Sequence, residues 1–500
     1  MEKIGHLING ETFIDGTQAQ DVFNPATGEV CAQVSMATPT TIQQALSAAS
    51  QAYPAWRNTP PAARARIMYR FKQLLEDHQD AICELITREH GKVLSDAKGE
   101  LARGIENVEY ACGIPELLKG EHSRNVGNGI DAWSEFQPLG VVLGITPFNF
   151  PAMVPLWMWP SAVMCGNCFI LKPSERNPSS VMYIAQLAQR AGLPNGVLNV
   201  VNGGVDTVNQ LIDAPEVQAV SFVGSTPIAE LIYQRSAANG KRCQALGGAK
   251  NHAIVLPDAD LEMVSNALMG AAFGSCGQRC MAISVAVTVG DEVADKLIAN
   301  LKPRVEGLKV GVGTDNNNDM GPLITRMQQE KVNNFVTEAV EQGAELIVDG
   351  RTISVPNYSS GFFVGGTLFD NVTPEMTIYQ QEVFGPVLVV VRANTLEEAV
   401  QLINDHEYGN GTCIFTRDGE AARYFIDQVM VGMVGVNVPL PVPVAYHSFG
   451  GWKRSLFGDL HAYGPDSVRF YTRRKAITQR WPSRQSQDGT QFSFPSFTDK

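Results

Sequence analysis

The sequence predicts an α/β protein with two parallel-sheet units and a separate β element. Three observations predict it. Strand-like and helix-like runs alternate from 139 to 238 and again from 260 to 429, as in βαβ units. The strand runs are continuously apolar, the mark of parallel strands covered on both faces. Residues 121–136 instead read as a hairpin around Gly127-Asn128-Gly129, a turn sequence between short runs.

In chain order, 40–118 reads as helices with short breaks. Thr40-Thr41 is placed as the first cap, and Pro60-Pro61 opens the second helix. Val141–Ile145 and Phe169–Leu171 read as strands, Ser179–Arg190 as a helix, Val197–Val201 as a strand and Val205–Ile212 as a helix. Ala219–Val223 is a strand ending at Gly224, and Pro227–Ala238 is a helix. Leu246-Gly247-Gly248-Ala249 reads as a hinge. A second series follows: helix 260–273, strand Ser284–Val289, helices 291–303 and 327–341, strand Leu388–Val391, helix 396–404, strand Thr412–Thr416 and helix 420–429. Residues 483–500 are polar with scattered Phe and are expected to be a loosely ordered tail.

At about 150 residues per domain, 500 residues suggest three domains. Lys+Arg number 39 against Asp+Glu 51, a formal charge of -12. That balance argues against non-specific nucleic-acid binding and against an anionic membrane surface. The ligand is expected to be a small molecule, and any anion must meet a few local cations. Met1–His6 lead into no apolar signal-peptide core. The nine cysteines are irregularly spaced, which suits reduced thiols and a cytoplasmic location. No charge falls between Glu135 and Lys172, but five prolines interrupt the run. Buried strand, loop, helix and strand therefore explain it better than a membrane span.

The densest chemical signal is Phe273-Gly274-Ser275-Cys276-Gly277-Gln278-Arg279-Cys280-Met281. Both thiols can be plain core residues. They can also pair with Cys165-x-x-Cys168 as a zinc site, although Cys168 starts an apolar strand. As a nucleophile, a thiolate is strong, and a neighbouring Arg279 lowers its pKa. Asn149, in a proline-held loop after a strand, is either a turn residue or a fixed amide donor. Lys172-Pro173-Ser174-Glu175 and Gly224-Ser225-Thr226 stand at strand ends, where open α/β sheets bind ligands. No Gly-x-Gly-x-x-Gly motif accompanies the strand ends, so the nucleotide reading is weak on these residues alone.

Taken together, these pieces resemble the NAD(P)-dependent aldehyde dehydrogenase superfamily. The motifs occur in family order: Asn24–Gly28, Thr146-Pro147-Phe148-Asn149-Phe150-Pro151, Leu171–Glu175, Phe222–Thr226, Gly277–Cys280, Glu382-Val383-Phe384-Gly385-Pro386 and Gly451–Ser455. The resemblance implies Cys280 as nucleophile, with Asn149 and the Cys280 N–H as the oxyanion hole. It implies Lys172 and Glu175 at the adenosine ribose, where Glu175 favours NAD over NADP. It further implies Gly224 and Ser225 at the pyrophosphate, Glu382 and Phe384 around the nicotinamide ribose and ring, and Phe148 as another cofactor-binding residue. No metal is implied.

One departure stands out. Hydrolytic members carry Glu-Leu-Gly-Gly, whereas this chain has Ala245-Leu246-Gly247-Gly248. The water-activating base is missing, a contribution of about 10²–10⁴-fold, so a thiol such as coenzyme A is the expected acyl acceptor. This departure and the Arg279-Cys280 pair resemble the CoA-acylating methylmalonate-semialdehyde (malonate-semialdehyde) dehydrogenases. That resemblance implies that Arg103 and Arg279 bind the carboxylate of a small aldehyde substrate. Ser275-Cys276 departs from the smaller residues common there. Malonate semialdehyde would give acetyl-CoA, its 2-methyl homologue propionyl-CoA, with CO2 and NADH. The alternatives are a hydrolytic aldehyde dehydrogenase, a catalytically idle binding protein and a zinc protein.

The resemblance also implies the architecture. A Rossmann-like NAD domain would span 1–118 and 139–246, a catalytic domain 247–450, an oligomerisation element 119–138 and 462–482, and a polar tail 483–500. The hairpin is expected to pair with Val468-Arg469-Phe470-Tyr471-Thr472 across subunits, and a homodimer or homotetramer is expected.

Overall fold

The computed structural model describes residues 1–481 except 17 and 128. The 483–500 tail therefore lies outside the described residues. Two large sheets carry the chain. The first has eight strands in the order Leu456–Phe457, Arg242–Leu246, Val217–Val223, Val141–Ile145, Cys168–Lys172, Leu198–Val200, His6–Ile8, Glu11–Phe13. The strands from Arg242–Leu246 through Leu198–Val200 are parallel, and the outer pairings are antiparallel. Beginning at Val141–Ile145, the chain adds strands on one side as far as Leu198–Val200. It then returns to the other side at Val217–Val223. This reversal makes a crevice at the carboxyl ends of Val141–Ile145 and Val217–Val223, where open α/β sheets bind ligands.

The second sheet has seven strands: Glu345–Val348, Thr367–Asp370, Val387–Ala393, Ile283–Val289, Asn251–Val255, Gly411–Phe415 and Met433–Val436. Only its Glu345–Val348 edge is antiparallel. Leu246–Ala249 is the crossover between the sheets, because Arg242–Leu246 ends in the first and Asn251–Val255 begins in the second. Its two glycines permit close approach. A Cβ on Gly247 would press on the Arg454 carbonyl, and one on Gly248 would press on the Glu382 carboxyl.

The uncharged run resolves as expected into strand Val141–Ile145, helix Met153–Met164 and strand Cys168–Lys172. Every residue of that helix is buried, so its apolar surface meets protein on all sides. Among the described residues no helix is long and apolar enough to cross a membrane.

Two local expectations are corrected. The first helix, Pro39–Arg57, is capped by Thr38, whose hydroxyl accepts from the Thr41 N–H. Pro39 takes the first helical turn, which its fixed φ suits, so the cap moves ahead of it. The strand expected at 468–472 is also displaced. Gly464, at φ 68°, and Pro465 start a helix, Pro465–Phe470, and the strand runs Thr472–Arg480. That helix buries Val468 and Phe470, whose strand-like composition reflects packing rather than pleat. Thr472–Arg480 pairs with Ile130–Pro138 of the same chain, in register from Thr472–Pro138 to Arg480–Ile130. With His122–Gly127 it forms a three-stranded antiparallel sheet.

Candidate active site

The helix Leu261–Phe273 ends in a left-handed turn. Ser275 and Cys276 both have φ 54° and ψ 35°, and Gly277 has φ 66°. Left-handed backbone costs a non-glycine residue about 1–2 kcal/mol. Gly277 has a second constraint, because a Cβ there would collide with the Gly385 carbonyl. Asp96 holds the turn: its Oδ2 accepts from the Ser275 N–H at 2.8 Å. Cys276 is buried in the second core.

The turn delivers Cys280 half-buried to the wall of a cavity of about 250 Å³. Its carbonyl accepts from the side-chain amides of Asn251 at 2.8 Å and Asn410 at 3.0 Å. These two amides fix the backbone at Cys280, and sequence reading missed both. Burial pushes the Cys280 thiol up to about 12, and the Glu382 carboxylate adds to the rise. The Cys280 and Met281 N–H groups oppose it, and Arg279 opposes it least. Arg279 lowers the thiol in the expected direction, but desolvation outweighs a cation already paired with Asp96, and the net shift is upward.

Asn149 is placed by a buried clamp. The Lys92 ammonium donates to the Asn149 backbone carbonyl at 2.7 Å and to Glu100 at 2.6 Å. Glu100 in turn accepts from the N–H groups of Ala152 and Met153, at the start of the buried helix. The Asn149 side-chain amide donates to the Gln278 carbonyl at 3.0 Å. An amide nitrogen carries two N–H donors, so one remains for a ligand oxygen.

Arg103 and Arg279 line the same cavity as Cys280, with Phe150, Trp157 and Phe449. Both are already paired: Arg103 with Glu106 at 2.7 Å, and Arg279 with Asp96 at 2.7 Å. Asp96, Glu100 and Arg103 recur every three or four residues, a spacing that sets them on one side of the helix Leu94–Cys112, and Lys92 stands just ahead of its first turn. That spacing was legible, yet only Arg103 was singled out.

Glu382 and Phe384 line a second, smaller cavity that also reaches Arg279 and Cys280. Glu382 accepts from the Ala249 N–H at 3.2 Å, and burial pushes its carboxyl up to about 7. Phe384 has φ 55° and meets Phe148 edge to face at 6.0 Å. Phe148 also stacks on His90 and lies under Arg176.

At the carboxyl ends of the first sheet, Lys172 pairs with Glu175 at 2.8 Å. Burial alone would raise the Glu175 carboxyl, but the Lys172 ammonium holds it below its usual range. An ionised carboxylate fits a sugar hydroxyl donor. Gly224 leads to Ser225, which precedes the helix Thr226–Ala238 without using its hydroxyl as a cap. This end thus suits an anionic ligand. Ala245 is fully buried and pairs with Phe222 and Phe457, so that position offers no base. Cys165 and Cys168 lie in the first core and Cys276 in the second. Among the described residues no group of three or more His, Cys, Asp or Glu is placed to hold a metal.

A half-buried cysteine beside a fixed amide, on a doubly wound frame with a second sheet, is the arrangement this fold presents at its central cavity. The chain belongs to the aldehyde dehydrogenase family, which it matches over residues 13–477. It is 68% identical over 496 residues to a malonate-semialdehyde dehydrogenase of Pseudomonas aeruginosa, covering 99% of this chain and all of the relative. It is 48% identical over 465 residues to malonate-semialdehyde dehydrogenase 2 of Bacillus cereus, covering 93% and 95%. Its fold matches the crystal structure of a methylmalonate-semialdehyde dehydrogenase from Oceanimonas doudoroffii with TM-score 0.96 and 68% identity, covering 97% of this chain and 99% of that one. A Sinorhizobium meliloti 1021 structure complexed with NAD matches with TM-score 0.96 and 52% identity, covering 97% and 99%.

Proposed function

We propose that the protein is an NAD-dependent, CoA-acylating dehydrogenase of malonate semialdehyde and methylmalonate semialdehyde. The observation that carries the reading is one cavity shared by Cys280, Arg103 and Arg279, with Ala245 where hydrolytic relatives have a glutamate. The names of the relatives and of the matching structure support it.

Cys280 attacks the aldehyde carbon as a thiolate. The second N–H of Asn149 and the Cys280 N–H receive the developing oxyanion, the kind of preorganised stabilisation that dominates acyl chemistry. Arg103 and Arg279 recognise the carboxylate. Glu175, Lys172, Gly224, Ser225, Phe148, Glu382 and Phe384 hold NAD, which when bound accepts the hydride. The malonyl or methylmalonyl thioester left on Cys280 loses CO2, and the acyl group passes to the thiol of coenzyme A as the Cys280 thiolate leaves, giving acetyl-CoA or propionyl-CoA.

One observation favours hydrolysis instead. Glu382 is a half-buried carboxyl pushed up to about 7 beside Cys280, a candidate base for water. Kinetics on both semialdehydes and propanal, with and without CoA, decides between them. CoA-dependent turnover with CO2 release is expected. Full-rate acid formation without CoA would overturn the acylating reading.

Among the described residues, Thr472–Arg480 and His122–Gly127 are the outer strands of a three-stranded antiparallel sheet, an element of the kind that supports pairing between chains as a homodimer or homotetramer. Nine free cysteines support a cytoplasmic location.

A further inference from the structure

A clamp that recognises a carboxylate and then releases it as CO2 faces a conflict. Every interaction that stabilises the carboxylate in the ground state opposes its departure unless the transition state keeps it. The two arginines are not bare. Asp96 accepts from Arg279 Nη2 at 2.7 Å through one oxygen and from the Ser275 N–H at 2.8 Å through the other. Arg279 Nη1 also donates to the Gly270 carbonyl at 3.2 Å. The guanidinium lies so close over Gly274 that a Cβ there would collide with it. Arg103 has its own carboxylate in Glu106. Asp96 and Arg279 are both about one-fifth exposed, and both line the cavity of Cys280.

We propose that Asp96 is a positioning residue that keeps Arg279 part-neutralised, so that the clamp selects a carboxylated aldehyde yet grips its carboxylate weakly enough to let CO2 leave. The inference rests on the decarboxylating function proposed above. Two guanidinium groups facing two resident carboxylates are close to neutral, so an entering carboxylate shares each cation rather than owning it. In the decarboxylation step the bond from the α-carbon to the carboxylate carbon breaks. Its electron pair moves onto the α-carbon and the thioester carbonyl, CO2 departs, and a proton from water ends on the α-carbon. As negative charge leaves the clamp, Asp96 is already bonded to Arg279 and restores its pairing without rearrangement. Its second oxygen ties that cation to the left-handed turn before Cys280, so clamp and nucleophile keep one register.

The test is Asp96→Asn, which retains an oxygen for the Ser275 N–H and removes the charge. The purified enzyme is supplied with NAD, CoA and malonate semialdehyde or propanal, and acyl-CoA products are resolved by chromatography. The expected result is a fall of about tenfold in KM for malonate semialdehyde. The kcat/KM ratio over propanal rises, and malonyl-CoA appears beside acetyl-CoA because decarboxylation lags behind transfer. Asp96→Glu restores the wild-type product ratio. Equal changes in KM for both aldehydes, with acetyl-CoA as sole product, would reduce Asp96 to a structural brace and overturn the proposal. If Asp96→Asn fails to fold, Glu106→Gln makes the same reading at Arg103, and an unchanged KM and product ratio there overturns it. A wild-type enzyme that releases no CO2 overturns the proposed function itself, a result visible before any variant is made.

Discussion

The Asn149 side-chain amide donates to the Gln278 carbonyl at 3.0 Å, two residues ahead of Cys280. This bond joins the loop after strand Val141–Ile145 of the first sheet to the nucleophile turn that precedes Ile283–Val289 of the second. The remaining amide N–H is thereby aimed from a fixed frame. Asn149→Ala is expected to lower kcat by about 10²–10³-fold with the melting curve near that of the wild type. A loss below tenfold, measured with malonate semialdehyde at saturating NAD and CoA, would remove Asn149 from the oxyanion hole.

The Lys92–Glu100 pair anchors Asn149 from behind, with both side chains fully buried. Breaking such a pair from one side leaves an uncompensated charge and costs about 3–5 kcal/mol. Lys92→Met should therefore destabilise the enzyme in denaturant titration by that amount. The double variant Lys92→Met/Glu100→Met should destabilise it less than the single change. A double variant worse than Lys92→Met would argue that the pair itself carries stability.

The thiol at about 12 sets the pH behaviour of the ligand-free enzyme. Alkylation of Cys280 by iodoacetamide should keep accelerating above pH ~8.5, where an ordinary cysteine levels off. Glu382, ionised above pH 7, adds to the rise. Glu382→Gln should thus speed alkylation on the alkaline side and have little effect below pH 7, where the carboxyl is already neutral. A rate that plateaus near pH ~8.5 in the wild type would contradict the burial argument.

Ala245 stands where a base would activate water. Ala245→Glu is expected to create acid formation without CoA, raising the CoA-independent rate by about 10²-fold. The site is fully buried against Phe222 and Phe457, so the variant should also melt lower. No gain in CoA-independent acid, in a variant that still binds NAD, would locate the block to hydrolysis elsewhere.

Arg103 is more than one-third exposed, and solvent weakens its ion pairs. Arg103→Ala should raise KM for malonate semialdehyde by about tenfold and leave propanal less affected. An unchanged preference for carboxylated aldehydes would remove Arg103 from the clamp.

The site was legible wherever chemistry needs a residue type beside a recognisable turn. Cys280, Asn149, Lys172, Glu175, Gly224 and Ser225 all stand at strand or helix ends that alternation and apolar runs had located. The Pro465–Phe470 helix was misread because Val468 and Phe470 look the same buried under a helix as in a strand. The Asp96 pairing and the two amides on the Cys280 carbonyl were missed because each joins segments more than a hundred residues apart, except Asn251, whose partner is 29 residues away.

By itself the sequence determined the alternation of strands and helices, the order of the motifs, the lack of a base at 245 and a net charge that demanded local cations. These are properties of residue type and spacing, which survive without contacts. Only the tertiary structure decided that Arg279 is paired with Asp96, that burial outweighs Arg279 at the Cys280 thiol, and that Thr472–Arg480 pairs with Ile130–Pro138 within one chain. Electrostatic effects depend on distance and on excluded water, and neither exists until the helices Leu94–Cys112 and Met153–Met164 and the Cys280 loop close around the cavity.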